Sequence, residues 1–559
     1  MNDEQSPGRL IAFLAVSMVI LMIWQSLFPP PLPPERPAPE VAETVSEEQG
    51  APKTTGAQVP PSPSPTAVET APSPEAKASL PTTKQPERKI DLEGDLLTVQ
   101  FSSHGARLTA VSFRDFREPG TDPERPYIEL VPEGSLGFAS LEAEGLEPDA
   151  DYEVASQDRG SVVFRRKLAD GSQVERRWQL DGQALRHELR ISGAQGGEKT
   201  FRFGLEMANP AETGGGFLFG TLPDLARGMC RAEEDLLVAP IADIAEAEAV
   251  ELKTATAQWA GVDRNYFGAF LLPGANGACE ISRNAVDPDS EKDVVDGRVY
   301  VSFEHPLQWP AGGQAEWQAS LLLAPKSEGL LKAAHPTLID TIDFGIFKFL
   351  AAPMLWLLNW LFGVFGNYGI AIVLLTLIVK TLLYPITDMS YRSMAKMKEI
   401  QPELSKLREK YESDRQMQAQ KQMELFKEKG VNPAGGCLPM LLQIPVWFAL
   451  YSTLRVAVEL YGAPFIPGWI DDLTLSDPFY VMPLLLGVLF FFQQKLQPTP
   501  SDNPSQQMVM KIMPVMMTVF MIALPAGLVL YILFNTILGI AHQYYAIKRD
   551  QKPEAEAAA

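Results

Sequence analysis

One basic residue interrupts an otherwise apolar run of the sequence. Lys380 lies in GIAIVLLTLIVKTLLYP, shortly before the end of the run at Tyr384. A cationic side chain within a membrane-spanning helix costs roughly 2.5–3.5 kcal/mol on insertion scales. Lys380 therefore either extends to the membrane surface or faces a wet, protein-lined cavity where it could pair with a carboxylate. Thr376 lies one helical turn earlier on the same face and would extend a polar stripe.

Two amides and a group of methionines are further candidates for binding. Gln443 and Asn535 stand in separate apolar segments, where interhelical hydrogen bonding is their expected role and both are candidates to line the same cavity. One segment is crowded by Met508, Met510, Met513, Met516, Met517 and Met521. Most of these suit ordinary helix packing, but flexible side chains also suit a surface that accepts many apolar partners. The candidates for such contacts are Met513, Met517 and Met521.

Motifs for enzymatic chemistry are weak in this sequence. Ser393 and Lys396 match Ser-x-x-Lys, but both lie in a highly charged segment with no apparent oxyanion-hole loop. There is no phosphate-binding Gly-x-x-x-x-Gly-Lys-Ser/Thr loop and no His-Glu-x-x-His. The histidines are scattered at His104, His187, His305, His335 and His542. We therefore expect no enzymatic activity, no cofactor and no metal.

Composition divides the 559 residues into two unlike parts. Residues 29–335 are polar and acidic, whereas residues 346–547 are mostly apolar. The net charge of −21 argues against a general nucleic-acid binder, and no sequence-specific binding to nucleic acid is expected. Three cysteines are too few for a disulfide framework. Cys230 and Cys279 share the polar part. Whether they form a disulfide is left open, with two unpaired thiols favoured. Cys437 is expected to be a packing residue.

The chain begins with an apolar segment and a proline-rich one. Residues 10–28 are about long enough to cross a bilayer. The segment exceeds the usual apolar region of a signal peptide and lacks a small-x-small cleavage site, so we predict an uncleaved anchor after a short cytoplasmic N-terminus at 1–9. Residues 29–89 are rich in Pro, Glu, Ser, Thr and Ala. They are expected to form a disordered periplasmic linker.

Residues 90–325 have the alternation of half-buried strands. Apolar and charged side chains alternate from Leu185 to Ile191, and the same period recurs at Val299, Val301 and Phe303. Many such strands in one region predict a β-sandwich of two large sheets. No residue cluster within it demands chemistry.

The remainder of the chain predicts a helical membrane bundle. An interfacial amphipathic helix is expected at 330–360, followed by a core at 362–547 and a tail at 548–559. A cytoplasmic helical hairpin is expected at 386–433, with Pro402 kinking its first arm. The core crossings are predicted at about 366–385, 438–460, 479–496, 508–524 and 527–547. With the anchor, these make six crossings, five of them clustered.

Basic residues predict the orientation of these crossings. Residues 386–433 hold ten Lys and Arg against eight Asp and Glu, whereas residues 461–477 hold no Lys or Arg. The bias places the first of these loops and the C-terminus in the cytoplasm. Six crossings then place the N-terminus inside too and the β-domain outside.

The membrane half resembles the YidC, Oxa and Alb family of membrane protein insertases, and the whole layout is similar to its Gram-negative members. The matching motifs stand in the family's order at 379–385 (VKTLLYP), 393–397 (SMAKM), 401–402 (QP), 431–439 (VNPAGGCLP), 443–445 (QIP) and 525–531 (PAGLVLY). One difference is that the family's intramembrane cation is commonly Arg. Lys380 keeps the charge but not the planar, bidentate geometry.

The resemblance implies a hydrophilic groove in the bacterial inner membrane, open to the cytoplasm and to lipid and closed to the outside. Lys380 would lie inside it, and the outer domain would be a sugar-mutarotase-like supersandwich without enzyme activity. The implied partners are nascent membrane proteins, the Sec translocon, the ribosome and the lipid bilayer. The sequence identifies neither the clients, the oligomeric state nor a ligand of the β-domain.

A transporter and an outer-domain enzyme with a passive anchor are the rival classes. A transporter would normally show internal repeats with broken helices in corresponding positions, and we find no such repeat. An enzyme would need a carboxylate or histidine cluster in the β-domain and would lose activity when residues 90–325 are deleted. For an insertase, most of that domain is expected to be dispensable.

Overall fold

The computed structural model describes most of the chain after the proline-rich segment, namely residues 86–118, 124–208, 226–244, 252–284, 298–431, 438–496 and 504–557. The anchor predicted at 10–28 and nearly all of the linker predicted at 29–89 lie outside these residues, as does Cys437. Within them, a β-domain is followed by a helical part.

The β-domain contains eighteen strands among the residues described. They are β1 (Lys89–Glu93), β2 (Leu97–Ser102), β3 (Leu108–Arg117), β4 (Tyr127–Glu129), β5 (Ser140–Glu142), β6 (Glu153–Asp158), β7 (Ser161–Lys167), β8 (Gln173–Asp181), β9 (Ala184–Ser192), β10 (Gly197–Ala208), β11 (Arg227–Arg231), β12 (Leu236–Pro240), β13 (Lys253–Ala257), β14 (Trp259–Asp263), β15 (Phe267–Pro273), β16 (Gly277–Asn284), β17 (Arg298–Trp309) and β18 (Gln314–Pro325). The short helix α1 (Ile241–Ile244) follows β12.

Three antiparallel sheets result. Their strand orders are β12-β11-β14-β15-β18-β9-β8-β7-β6, β13-β16-β17-β10-β5 and β1-β2-β3-β4. Alternation explains the pattern: in β9, Leu185, Leu189 and Ile191 are buried, and Leu189 faces Trp317 of β18 across the ladder. The β-rich domain is thus as predicted.

The two larger sheets pack face to face. A Cβ placed on Gly228 in β11 would lie 2.5 Å from Ile281 and 2.8 Å from Val301 in the opposite sheet, so only glycine fits there. Cys230 of β11 and Cys279 of β16 form a disulfide between the same sheets. The pairing that the sequence left open, with unpaired cysteines favoured, is therefore a disulfide, because β11 and β16 face each other across the two sheets.

The expectation of two sheets was incomplete. The four-stranded sheet β1–β4 forms a third unit, which packs on the nine-stranded sheet through Phe101 of β2. The centroid of this ring lies 5.4 Å from that of Trp178 and 6.0 Å from that of Phe164. A period of two shows that a segment is a strand, but not which sheet it joins.

The helical part begins just after β18. Its α-helices are α2 (Glu328–Ala334), α3 (Lys348–Phe365), α4 (Tyr368–Glu399), α5 (Gln401–Lys410), α6 (Arg415–Glu428), α7 (Leu438–Val456), α8 (Val481–Leu496), α9 (Pro504–Ile522) and α10 (Ala526–Ala557). Over the described ranges, three segments are long and apolar enough to cross a membrane, by length and composition: Gly345–Phe365, Tyr368–Glu399 and Ala526–Ala546. Val481–Leu496 and Lys511–Ile522 are shorter apolar helices.

The interfacial helix predicted at 330–360 is divided. A 3₁₀ turn at Pro336–Thr341 separates α2 from α3, and Pro336 has no N–H to bond back to the last turn of α2. α3 exposes large aromatic side chains, including Phe349, Trp356 and Trp360, which are 56–74% exposed. It ends at Gly366, whose φ of +66° favours glycine.

α4 is longer than the crossing predicted at 366–385. It begins where Asn367 accepts a hydrogen bond from the Ile370 N–H (3.0 Å) and continues without a break through Pro385 to Glu399. Pro402 lies in the first turn of the next helix, α5, where the missing N–H of proline costs nothing. The interruption predicted at Pro402 therefore takes the form of a break between two helices at Ile400.

α5 and α6 pack against each other through a small apolar cluster. Ile400, Leu404 and Val431 are buried in it, with Leu425 and Phe426 packed alongside. Asp414 caps α6 by accepting a hydrogen bond from the Met417 N–H (3.0 Å). These contacts hold the two short helices side by side after the apolar part of α4.

The β-domain and the helical part share their cores. Met229, Trp259 and Phe270 of the nine-stranded sheet belong to the same buried cluster as Leu331 and Leu338, and this cluster continues into α3, α4, α7 and α10. In the opposite direction, the β-domain core includes a residue from the segment after α7, Val458.

Tyr461 makes a second connection between the two parts. Its ring centroid lies 5.0 Å from that of Tyr266 and 5.5 Å from that of Phe267, and its hydroxyl donates to the Arg117 carbonyl oxygen (3.1 Å). The Tyr266 hydroxyl in turn donates to the carbonyl oxygen of Leu454 in α7 (2.7 Å).

Candidate functional site

Polar residues line the contact between α4 and α10. On α4 they recur at spacings of four and three, which places them on one helical face. On α10, most of the facing residues also follow one another at spacings of four and three. We call this group the polar seam and define it as Thr376, Lys380, Tyr384, Asp388 and Tyr391 of α4 together with Tyr531, Asn535, Gly539, His542 and Arg549 of α10.

Lys380 is half-buried in the middle of the seam, opposite a glycine. A Cβ built on Gly539 would lie 3.7 Å from Lys380 Nζ and 3.5 Å from the Tyr391 hydroxyl oxygen. Because residue 539 has no side chain, α10 leaves a slot for the amine. Within the described part of the chain, Lys380 forms no hydrogen bond and no ion pair. An ammonium group placed in this way is available to an incoming anion.

Thr376 does not take part in the slot. It is fully buried, and its hydroxyl donates to the Ile372 carbonyl oxygen of its own helix (2.7 Å). The hydroxyl is therefore satisfied by the backbone. The structure does not bring it into hydrogen-bond contact with Lys380.

The two amides differ in their hydrogen bonding. Gln443 of α7 donates from Nε2 to the hydroxyl of Tyr531 in α10, which is the interhelical bond expected of it. The Asn535 side chain forms no such bond within the described ranges, and its Oδ1 is buried without a partner. A buried acceptor left unsatisfied costs about 1–3 kcal/mol. Asn535 therefore offers a second polar atom to a ligand in the seam.

The three methionines selected from the sequence have different environments. Met521 is fully buried in the helical core, and Met517 packs partly against that core. Met513 is 51% exposed, and the neighbouring Met508 and Met516 are exposed as well. The spacing of four between Met517 and Met521 points both toward the core, whereas Met513 is exposed; client contact by these methionines stays a prediction.

An ionic cluster at the C-terminal end of the seam was missed by the sequence analysis. The Asp388 carboxylate is 2.9 Å from Arg392 Nη2, 3.0 Å from Arg549 Nη2 and 3.5 Å from His542 Nε2. The His542 ring stacks on Tyr384, with centroids 4.4 Å apart. We call Asp388, Arg392, His542 and Arg549 the ionic cluster.

Tyr391 contacts both the ionic cluster and the slot at Gly539. Its hydroxyl donates to the Gly539 carbonyl oxygen (3.3 Å), and its ring meets His542 edge-on at 4.9 Å. The signal that could have found these residues is the polar spacing after Lys380, at 384, 388 and 391. It was missed because the helix was expected to end at 385.

The β-domain holds a buried cationic group that is fully used in packing. Arg176 donates to the carbonyl oxygens of Gly105 (2.8 Å) and Ala139 (2.9 Å) and to His187 Nε2 (3.2 Å). Burial lowers the pKa of Arg176 to about 10. Burial, and then the charge of Arg176, lower the pKa of His187 well below its usual value. All three nitrogens of the guanidinium have partners, so the group organises the core.

Metal ligation has no candidate in the part of the chain that the structure describes. No group of three or more His, Cys, Asp or Glu residues there has a geometry that could hold a metal ion.

Comparison with known proteins identifies both parts of the chain. Residues 360–554 match the family model of the 60Kd inner membrane protein, and residues 89–357 match that of the YidC periplasmic domain. The membrane protein insertase YidC of Oleidesulfovibrio alaskensis is 32% identical over 97% of this chain and 99% of its own length. The chain belongs to the YidC family of membrane protein insertases. The resemblance inferred from the motifs is thereby confirmed.

A second relative supports the same assignment. The membrane protein insertase YidC of Nitrosococcus oceani is 33% identical over 97% of this chain and 98% of its own length. A solved structure, an active YidC insertase with its first transmembrane domain resolved, aligns with 82% of this chain and 93% of that chain at 18% identity and a TM-score of 0.39. The YidC relatives are named for insertion, which is not an enzymatic activity, so the chain is an inner membrane insertase rather than an enzyme.

Proposed function

We propose that the chain inserts client proteins through a hydrophilic groove in which Lys380 is the resident cation. The groove would lie along the polar seam and open to the cytoplasm and to lipid. Six crossings would surround or flank this groove, and they would be formed by residues 10–28 and by α4, α7, α8, α9 and α10. Both termini would be cytoplasmic and the β-domain periplasmic.

The observation that carries this proposal is the position of the Lys380 amine. It is half-buried beside Gly539 and has no counterion among the residues described. An uncompensated cation within an apolar helix is expensive and is usually retained for function. The buried, unpartnered Oδ1 of Asn535 adds a second polar atom on the facing helix. A client carboxylate would supply the partner that Lys380 lacks.

The energetics favour clients with acidic outer tails. An unshielded charge costs several kcal/mol in hydrocarbon, and Lys380 would offset this cost while a carboxylate passes. The client's apolar segment then enters lipid with a gain of roughly 0.3–0.6 kcal/mol for each Leu or Ile. A membrane potential that is negative inside favours outward movement of a negative charge by about 2.3 kcal/mol per 100 mV. These contributions can drive insertion without ATP.

The remaining elements have proposed roles that follow from their surfaces. α3, with its exposed Phe349, Trp356 and Trp360, would lie at the outer membrane–water interface. α5 and α6 would form a cytoplasmic hairpin whose charged outer face meets ribosomes that supply nascent chains. Exposed Met513 would contact apolar client segments. Cooperation with the Sec translocon is part of the same proposal and rests on family membership.

Insertion by Lys380 variants tests the proposal. The full chain would be reconstituted in proteoliposomes and supplied with two clients that differ only in whether the outer tail carries Asp or Asn residues. Lys380→Glu should block the acidic client, Lys380→Ala should slow it, and Lys380→Arg should retain insertion because the charge is kept. Lys167→Ala, at an exposed lysine of β7, is the matched control. Normal insertion of the acidic client by Lys380→Ala would contradict the proposal.

A further inference from the structure

We propose that the ionic cluster is a second anion site, which receives an acidic side chain of the client before Lys380 does. In the absence of a client, Asp388 occupies this site as a resident carboxylate. The ligand class is a carboxylate in the client's outer tail. This inference rests on the proposed insertion function and adds an entry site to it.

The geometry is that of a built anion site. Three cationic or protonatable groups from two helices converge on the one carboxylate of Asp388, whose side chain is 10% exposed. Arg549 approaches both carboxylate oxygens, at 3.0 and 3.4 Å, which is the fork-like approach that favours carboxylates. The other arginine, Arg392, keeps a side-chain exposure of 54%, so a second anion can reach it from the surface.

Charge and position connect this site with Lys380. Arg392, Arg549 and His542 all face the Asp388 carboxylate, and the half-exposed Arg392 can accept another anion from the surface. Asp388 follows Lys380 by eight residues on the same face of α4, which corresponds to about 12 Å along the helix. His542 lies between them, with its ring stacked on Tyr384 and its Nε2 3.5 Å from the Asp388 carboxylate.

An exchange of partners would move the client's carboxylate inward. The client's acidic group first replaces Asp388 at Arg549, so that one ion pair is exchanged for another and no charge is left unpaired. It then reaches Lys380, the next cation along the seam. The resident carboxylate thus competes with the client, and its removal should help binding.

This competition distinguishes an anion site from a simple latch between α4 and α10. If the cluster only holds the helices together, removing either the carboxylate or the arginine breaks the same contact and has the same effect. If it is an anion site, the two changes have opposite effects. Arg549→Gln removes a binding group, whereas Asp388→Asn removes a competitor.

The test measures the ratio of acidic-client to neutral-client insertion in proteoliposomes of phosphatidylcholine, with the tail-matched clients described above. Arg549→Gln and Arg392→Gln should each lower the ratio by about two- to fivefold, which is the scale of a partly exposed ion pair. Arg549→Lys should keep it, and Asp388→Asn should keep or raise it. Lys167→Gln, at an exposed lysine of β7, is the control. Thermal unfolding of each variant is measured first, and Arg392→Gln decides the outcome if Arg549→Gln does not fold.

Two results would overturn the inference. If both Asp388→Asn and Arg549→Gln lower the ratio, the cluster only holds α4 and α10 together and is not an anion site. The ratio could instead stay unchanged with both arginine variants while Lys380→Ala still slows the acidic client. That result would rule out the entry site but would not contradict the proposed function. A third arm adds phosphatidylglycerol to the vesicles: an arginine effect that is present only with this anionic lipid would assign the site to lipid headgroups and overturn the client assignment.

Discussion

Filling the slot at Gly539 should separate the stability of α10 from the function of Lys380. A Cβ at this position would lie 3.5 Å from the Tyr391 hydroxyl and 3.7 Å from Lys380 Nζ, both ordinary contact distances. Gly539→Ala should therefore fit without displacement and stabilise the helix by about 0.5–1 kcal/mol, because alanine loses less backbone entropy on folding than glycine. Insertion of acidic clients should continue.

A larger side chain at the same position should have the opposite effect on insertion. Each further carbon–carbon bond extends the side chain by roughly 1.5 Å, so Gly539→Leu must displace the Lys380 amine or the Tyr391 hydroxyl. If the amine is pushed toward hydrocarbon, the cost approaches the roughly 2.5–3.5 kcal/mol of an inserted lysine.

The assay is insertion of tail-matched clients in proteoliposomes, together with thermal unfolding of the purified full chain. Gly539→Leu should slow the acidic client about as much as Lys380→Ala does, and Gly539→Ala should melt at a higher temperature than the parent chain. A folded Gly539→Leu variant that inserts the acidic client at the parent rate would refute the slot.

Two further predictions concern the β-domain and are measured by denaturant unfolding of the full chain. The pKa of His187 is lowered in the fold, so the folded protein holds the neutral imidazole. As the pH falls below about 6.5, the unfolded chain binds a proton there and the folded protein does not. The free energy of unfolding should therefore fall by up to about 1.4 kcal/mol per pH unit below that value. His187→Gln should lose less stability between pH 7 and 5.5, and equal losses would contradict the assignment. Lys326→Met removes one of two cations bonded to the buried carboxylate of Asp263, at 2.6 Å. Since Arg227 keeps its own bonds to that carboxylate, the loss should lie near the lower end of about 3–5 kcal/mol, and unchanged unfolding would show that the pair contributes nothing.

Much of the β-domain followed from its sequence, and the part that did not depends on distant strands. Alternation identifies β9 because burial repeats every second residue along it. Nothing local shows that β11 and β16, which are 49 residues apart at their cysteines, face each other in different sheets. The pairing of Cys230 with Cys279 is a property of that packing, so it could not be derived from spacing.

The polar seam was only half visible in the sequence for a physical reason. Lys380 is conspicuous because its surroundings are apolar, whereas Asp388 and His542 stand among polar residues near the end of an apolar stretch. The predicted crossing ends at Pro385, yet proline is tolerated within a helix when neighbouring groups satisfy the freed backbone. Extending the helical period through Pro385 would have placed Asp388 on the Lys380 face.

The shared core changes what a domain deletion can establish. The sequence suggested that loss of residues 90–325 would separate an outer-domain enzyme from an insertase, because most of the domain would be dispensable to the latter. In the structure, Leu331 and Leu338 pack against Met229, Trp259 and Phe270 of the β-domain, in the same cluster that continues into the helices. Deleting the domain would expose these leucines to water at roughly 1.5–3 kcal/mol for each fully exposed side chain. Loss of insertion after such a deletion therefore reports a damaged core as readily as a lost activity, and only point substitutions within an intact domain separate the two.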